Sequence, residues 1–211
     1  SATVQHVSIA DEVGPKRSIL QSQVAKDSPR VQAHTDFDLP DQTADGLTLD
    51  GFGTLSDPNG GWQIKSGALA TTSTADAPLT IGNVDLSQGG EFHFLFTTNT
   101  GSLRFYLTRI DSNNWLRVAL RTNVGRFKIQ ESVSGTVTDL ATGTFEGGEA
   151  IKKGLYTLKV GNLDGNRVSA RMGTDMVWEN VSNQVNNLNT LEVDGGQSST
   201  KIEGILHYRG F

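Results

Sequence analysis

Alternation of apolar and polar residues along short runs is the feature that most constrains this chain. In EFHFLFTT (91–98) every second residue from Phe92 to Phe96 is phenylalanine, with His93 and Leu95 between them. The runs SLRFYLTRI (102–110) and WLRVAL (115–120) repeat the pattern with leucine, phenylalanine and valine. A period of two is that of a β-strand, whose successive side chains point to opposite faces. These runs therefore predict strands with one face in a core, because a helix would need a period of about 3.6 residues.

Turn sequences divide the rest of the chain into similar short pieces. The 211 residues include 24 glycines, and DPNGG (57–61) and LDGN (163–166) are dense turn signals. About twelve strands at this spacing predict an all-β fold, a two-sheet antiparallel jelly-roll sandwich over residues 36–211. We expect its core to contain Phe92, Phe94, Phe96, Leu103, Phe105, Leu116, Val118, Ile129, Leu158 and Val168.

Residues 1–35 have a different texture, with few large apolar side chains and no sustained period. We predict an N-terminal arm that is extended or partly disordered, with one short helix around Ile19, Leu20 and Val24 as its candidate element. Such a segment cannot offset its ordering entropy alone. Because these three apolar side chains need a partner surface, we predict an assembly arm that docks on a copy of the chain or on another protein.

Composition argues against several classes of function. The chain has no cysteine and four histidines without metal-pair spacing, so no zinc site is expected. The net charge of −5 and the lack of a stacking motif argue against nucleic acid, and no apolar run approaches the ~18 residues of a membrane helix. The charge is uneven, since residues 101–172 carry 11 Lys and Arg against 6 Asp and Glu. That excess indicates either a basic face for an acidic partner or an ordinary solvated sheet face.

The polar sides of the central strands supply the candidate ligand-binding residues. Such a surface suits an acidic glycan or a partner protein, and the alternative is a solvated face without a ligand. We expect Trp115 to be an exposed aromatic residue, whereas Trp62, which shares an apolar face with Ile64, is expected in the core. If their strands are neighbours, one basic surface with aromatic tips would combine Arg104, Tyr106, Trp115, Arg117, Arg121 and Lys128.

The order of four motifs resembles a known family. WQIKSGAL (62–69) is followed by a strand that ends at Arg109, by the turn DSNNW (111–115) and by YTLKV (156–160). This order resembles the concanavalin A-like lectin/glucanase jelly roll, in particular the laminin-G-like modules of bacterial and phage proteins. The resemblance implies two antiparallel sheets packed face to face. The family's enzymes carry a Glu-x-Asp-x-x-Glu run that this sequence lacks, so we expect no enzymatic activity.

The resemblance implies a non-enzymatic structural or interaction protein. The arm, the missing carboxylate run and an opening sequence without the apolar run of a signal peptide favour a tailed-phage virion component, such as a capsid decoration, minor tail or fibre protein. It would lie in the virion and contact other virion proteins, or copies of itself, through the arm. The alternative is a glycan-binding carbohydrate-binding module of a bacterial extracellular protein. No cofactor is expected, although family members bind calcium through loop oxygens, for which Asp57, Asn59 and Asp194 mark the candidate loops.

Overall fold

A computed structural model describes residues 31–72, 78–81, 90–98, 102–121, 124–144, 156–162, 167–172, 175–182, 184–185, 191–195 and 199–209. These ranges contain seventeen β-strands and no α-helix. Accordingly, no helix in them has the length and apolarity needed to cross a membrane. In chain order the strands are β1 (Val31–Thr35), β2 (Gln42–Thr43), β3 (Thr48–Leu49), β4 (Gly53–Ser56), β5 (Trp62–Lys65), β6 (Ala68–Thr71), β7 (Pro78–Ile81), β8 (Gly90–Thr98), β9 (Ser102–Arg109), β10 (Trp115–Arg121), β11 (Arg126–Val133), β12 (Thr136–Thr144), β13 (Tyr156–Asn162), β14 (Arg167–Met172), β15 (Asp175–Ser182), β16 (Leu191–Asp194) and β17 (Thr200–Arg209).

The strands form two antiparallel sheets, which confirms the predicted sandwich. The first, called the β17 sheet, has the order β15-β14-β13-β8-β17-β6-β5-β2, and β1 also pairs with β17. The second, called the β10 sheet, has the order β12-β11-β10-β9-β16-β7-β4-β3. The neighbours β9, β10, β11 and β12 follow one another along the chain, so each pair is joined by a short connection. The candidate residues of β9, β10 and β11 therefore belong to one continuous part of the β10 sheet.

The core lies between the two sheets and confirms the expected apolar faces. Phe96 and Leu158 belong to β8 and β13, but their side chains lie outside the described residues. The rings of Phe94 and Phe105, one from each sheet, have centroids 4.2 Å apart. Trp62 is buried in the same apolar cluster, as predicted. The other eight predicted core residues are all buried: Phe92, Phe94, Leu103, Phe105, Leu116, Val118, Ile129 and Val168.

Strand β1 lies within the stretch predicted as the N-terminal arm. It pairs antiparallel with β17, with Val31 opposite Tyr208 and Thr35 opposite Ile205. Ala33 is 6% exposed and belongs to the core cluster. The last five residues of the predicted arm are therefore a strand of the sandwich. The strand was missed because VQAHT offers only small apolar side chains, and its partner lies at the other end of the chain.

Candidate functional site

The structure brings the six predicted ligand-binding residues together. They lie on β9, β10 and β11, on the side of the β10 sheet that faces away from the core, which we call the outer face. Arg117 of β10 lies opposite Tyr106 on one side and Gln130 on the other. Ala119 likewise lies between Arg104 and Lys128. The sequence prediction required these three strands to be neighbours, and β10 pairs with both β9 and β11.

A row of hydrogen bonds crosses the outer face. Arg117 donates through Nε and Nη2 to Gln130 Oε1 at 3.0 and 2.9 Å, and through Nη1 to Tyr106 Oη at 2.8 Å. Gln130 Nε2 then donates to Asp139 Oδ1 at 2.6 Å. Each of these side chains is held by at least one neighbour, so the row forms without a ligand. Most of the hydrogen-bonding capacity of Arg117 is used inside the protein.

Trp115 is buried, with 7% of its surface exposed, so the expectation of an exposed aromatic residue is wrong. The guanidinium carbon of Arg117 lies 4.3 Å from the Trp115 ring centroid. The Tyr106 ring meets the indole edge-on, with centroids 5.8 Å apart. Alternation places Trp115 on the outer face correctly, but its two neighbours then cover the ring. Trp115 therefore forms part of the floor of this surface and offers no open ring face for stacking.

Two buried carboxylates on β16 complete the outer face. The sequence prediction did not name Glu192, and it named Asp194 only as part of a candidate calcium loop. Glu192 lies opposite Tyr106 and Asp194 opposite Arg104. Asp194 Oδ2 accepts a hydrogen bond from Arg104 Nη1 at 3.0 Å, and Glu192 Oε1 lies 3.2 Å from Arg109 Nη1. The sequence signal for these two carboxylates is the alternation in LEVD (191–194), which places Glu192 and Asp194 on one side of a strand.

Burial and charge shift the ionisation of the carboxylates on this face. Burial raises the pKa of Glu192; the positive charge of Arg109 opposes this rise and the negative charge of Asp194 adds to it. At the opposite edge, hydrogen bonds from Lys128 and Gln130 lower the pKa of Asp139. The Lys128 Nζ lies 2.6 Å from Asp139 Oδ2. Charge on the outer face is therefore balanced locally around three of its cations: Arg104, Arg109 and Lys128.

Two arginines at the other end of these strands remain without such compensation. Arg121 and Arg126 lie directly opposite each other on β10 and β11, and both are exposed. Within the part of the chain that the structure describes, neither forms an ion pair or a hydrogen bond through its side chain. A cleft of about 390 Å³ adjoins them, lined by Arg121, Arg126, Phe127, Lys128, Thr142, Gly143 and Thr144. The predicted basic character of the surface is concentrated here.

A hydrogen-bonded turn fixes the end of the face nearest Trp115. The Asp111 carboxylate accepts hydrogen bonds from Asn113 N at 2.7 Å and Asn114 Nδ2 at 3.0 Å, and these bonds lower the pKa of Asp111. The Asn113 carbonyl accepts a bond from Gly135 N at 2.9 Å, and Asn114 Oδ1 accepts one from Ser134 N, also at 2.9 Å. The β9–β10 turn is thereby tied to the β11–β12 turn, so this rim is held in place.

The candidate calcium loops are used for other contacts. Asp57 is buried, and its two carboxylate oxygens accept hydrogen bonds from Gly61 N at 3.0 Å and Trp62 N at 2.7 Å. Asp194 is paired with Arg104. Across the described ranges, no group of three or more histidine, cysteine or acidic side chains is placed to hold a metal ion. Asp57 closes a turn that positions the buried Trp62, which is a structural role.

The sandwich is similar to solved carbohydrate-binding structures. It matches the carbohydrate-binding module CBM66 from Bacillus subtilis with a TM-score of 0.54 and 12% identity, over 70% of this chain and 91% of that one. The metal-free carbohydrate recognition domain of Emp46p matches with a TM-score of 0.63 and 14% identity, over 86% and 96%. The exoplasmic/lumenal domain of VIP36 bound to Ca²⁺ and Man2 matches with a TM-score of 0.59 and 10% identity, over 86% and 90%. No family model and no curated protein matches the sequence.

Identities this low establish the fold alone. The matches nevertheless cover most of this chain and nearly all of each matched domain. They agree with the two packed antiparallel sheets and with the fold that the order of sequence motifs implies. The chain therefore has the concanavalin A-like lectin fold.

Proposed function

We propose that this protein is a non-enzymatic carbohydrate-binding module that holds a glycan on the outer face of the β10 sheet. The observation that carries the proposal is the polar surface of β9, β10 and β11, on which Arg104 and Lys128 are held by hydrogen bonds to Asp194 and Asp139. Fixed donors and acceptors bind without the entropic cost of ordering them. The likeness of the fold to a carbohydrate-binding module and to a carbohydrate recognition domain supports the same function.

The shape of the face offers a place for a sugar between two cations. Ala119 is small, and it lies between Arg104 and Lys128 in the cross-strand register. The backbones of β9 and β11 are about 10 Å apart, since neighbouring strands are separated by roughly 5 Å. We place the sugar over this interval, where a short side chain, 8% exposed, is flanked by two long ones. Sugar hydroxyls there could accept hydrogen bonds from both cations and donate to the carboxylates that hold them.

The two carboxylates of β16 do not suit glycoside hydrolysis. A hydrolase uses one carboxyl group as an acid and a second as a base or nucleophile. Here Asp194 is hydrogen-bonded to Arg104 and Glu192 is paired with Arg109, so both are engaged by guanidinium groups. We therefore propose binding without turnover.

A glycan microarray tests this proposal. The protein should bind a subset of glycans saturably and should not hydrolyse them. Arg104→Ala combined with Lys128→Ala should weaken that binding by about tenfold or more, because two charged hydrogen-bond donors are lost. Lys65→Ala with Lys201→Ala is the matched control, since both lysines are exposed on the β17 sheet. No saturable binding, or equal loss in the two double variants, would contradict the proposal.

The virion role and the carbohydrate-binding role predict different locations. The matched structures named above give no support to a role in a tailed-phage particle. The residues on which its assembly arm depends, Ile19, Leu20 and Val24, lie outside the described residues. The carbohydrate-binding proposal is instead consistent with the extracellular alternative. Labelling the protein in its source organism and locating it outside the cell or in a particle would distinguish the two.

A further inference from the structure

The cross-strand pair Arg121 and Arg126 is the feature of the outer face that internal contacts leave unexplained. Two like charges directly opposite each other on neighbouring strands destabilise a sheet. Elsewhere on this face the cations have carboxylate partners: Arg104 with Asp194, and Lys128 with Asp139. Arg121 and Arg126 have no such partner among the described residues. An anionic ligand would remove the repulsion between them.

The surroundings of the pair are suited to an anion. Thr144 lies opposite Arg126, and Thr142 lies opposite Lys128. Two hydroxyl groups of β12 therefore lie beside the cations of β11. The described residues that line the cleft include no acidic side chain, and of their three cations only Lys128 has a carboxylate partner, Asp139. The protein as a whole carries a net charge of −5, so this concentration of positive charge is local. The net negative charge of the whole protein would repel an anion, so binding at this cleft would depend on the local cations.

The backbone beneath the cleft is held in a fixed arrangement. Gly143 of β12 lies opposite Phe127 of β11. A Cβ atom at position 143 would clash with the end of the Phe127 ring, so glycine at this position lets the ring pack directly on the β12 backbone. Phe127 is buried in the core cluster. The strands that carry the two arginines and the two threonines are therefore locked together beneath the cleft.

We propose that this cleft binds the acid group, a carboxylate or sulfate, of an anionic glycan. A guanidinium group presents parallel N–H donors that match the oxygen spacing of these groups, and such charge-assisted bonds are stronger than neutral ones. The cleft lies two residues along β10 from Ala119, or about 7 Å at the rise of a strand. A sugar bound over Ala119, between Arg104 and Lys128, would place an acid group, or the next sugar unit, over Arg121. The proposal rests on the proposed function, because it names the class of glycan.

Inorganic sulfate is a probe of the cleft that does not depend on a known glycan. In an NMR titration of the ¹⁵N-labelled chain, sulfate should shift the backbone amides around Arg121 and Arg126 saturably. Arg121→Gln with Arg126→Gln should weaken this binding by about tenfold or more, because two charged hydrogen-bond partners are lost. The control is Lys65→Gln with Lys201→Gln, which removes the same charge from the other sheet and should leave the titration unchanged. Shifts spread over all cations, or equal weakening in both double variants, would overturn the proposal.

A second comparison separates this inference from the proposed function. Sulfated or uronic acid-containing oligosaccharides should bind more tightly than their neutral counterparts, and Arg121→Gln with Arg126→Gln should abolish that preference. If neutral and acidic glycans bind equally well, the acid-group assignment is wrong while glycan binding stands. If sulfate binds at the cleft but no glycan binds anywhere, the anion site stands and the proposed function is wrong. Melting temperatures of both double variants check that each remains folded.

Discussion

Replacing Arg117 with alanine should destabilise the fold as well as change the outer face. The side chain donates three hydrogen bonds, to Gln130 and Tyr106, and its guanidinium covers Trp115 at 4.3 Å. The site is half-buried, so each net contribution is modest, at about 1 kcal/mol per hydrogen bond and less for the cation–π contact. Allowing for non-additivity, we expect Arg117→Ala to lower the free energy of unfolding by roughly 2–3 kcal/mol. For a chain of this length that corresponds to about 4–12 °C in melting temperature.

Urea unfolding and thermal melting measure this loss, with two matched variants as controls. Arg117→Lys keeps the charge but not the forked guanidinium donor, so it should lower the free energy of unfolding by about half as much as Arg117→Ala. Arg121→Ala removes an exposed arginine from the same strand and should change the free energy by about 0.5 kcal/mol or less. If Arg117→Ala left stability unchanged while abolishing glycan binding, Arg117 would be a ligand contact, and its structural role in the hydrogen-bonded row would be wrong.

Three further predictions concern the fold and the buried carboxylates. A chain that begins at Asp36 should melt about 4–12 °C below one that begins at Val31, because it lacks β1 and roughly 2–3 kcal/mol of pairing and burial; equal melting temperatures would refute this. Phe94→Ala should lower the free energy of unfolding by roughly 3–5 kcal/mol in urea, since the ring is fully buried, and a loss below about 1 kcal/mol would show that the ring is outside the core. Because the pKa of Glu192 is raised, the folded state binds a proton at this carboxyl group more tightly than the unfolded state does. The stabilisation that this proton contributes is therefore present at low pH and is lost as the pH rises through the raised pKa. The melting temperature of the wild type relative to Glu192→Gln should therefore fall from about pH 4 to about pH 7, whereas a constant difference would contradict the assigned shift.

The sequence predicts the layers of this fold well because burial follows a local rule. In a strand, the side of each residue is fixed by its parity, so alternation identifies core residues such as Phe94 and Phe105 without knowledge of the partner strand. The same rule places Arg104, Arg117 and Lys128 on the opposite side. Their assembly into one surface needed only that strands adjacent in the chain be adjacent in the sheet, which is the common arrangement.

Exposure and long-range pairing could not be predicted in the same way. Parity places Trp115 on the outer face, but its burial depends on where Arg117 and Tyr106 direct their side chains. Strand β16 comes from a distant part of the chain and pairs between β9 and β7, which delivers Glu192 and Asp194 to the same face. Strand β1 depends on β17 in a similar way. Each of these features is created by contacts between residues far apart in the sequence.

The position of a bound glycan decides whether the outer face of the β10 sheet is the binding surface. We would titrate the ¹⁵N-labelled chain with the tightest-binding glycan from the microarray and follow its backbone amide shifts by NMR. We expect saturable shifts clustered on β9, β10 and β11, centred on Ala119 and extending to Arg104 and Lys128. Shifts confined to the β17 sheet would show that the outer face of the β10 sheet is not the binding surface and would contradict the account.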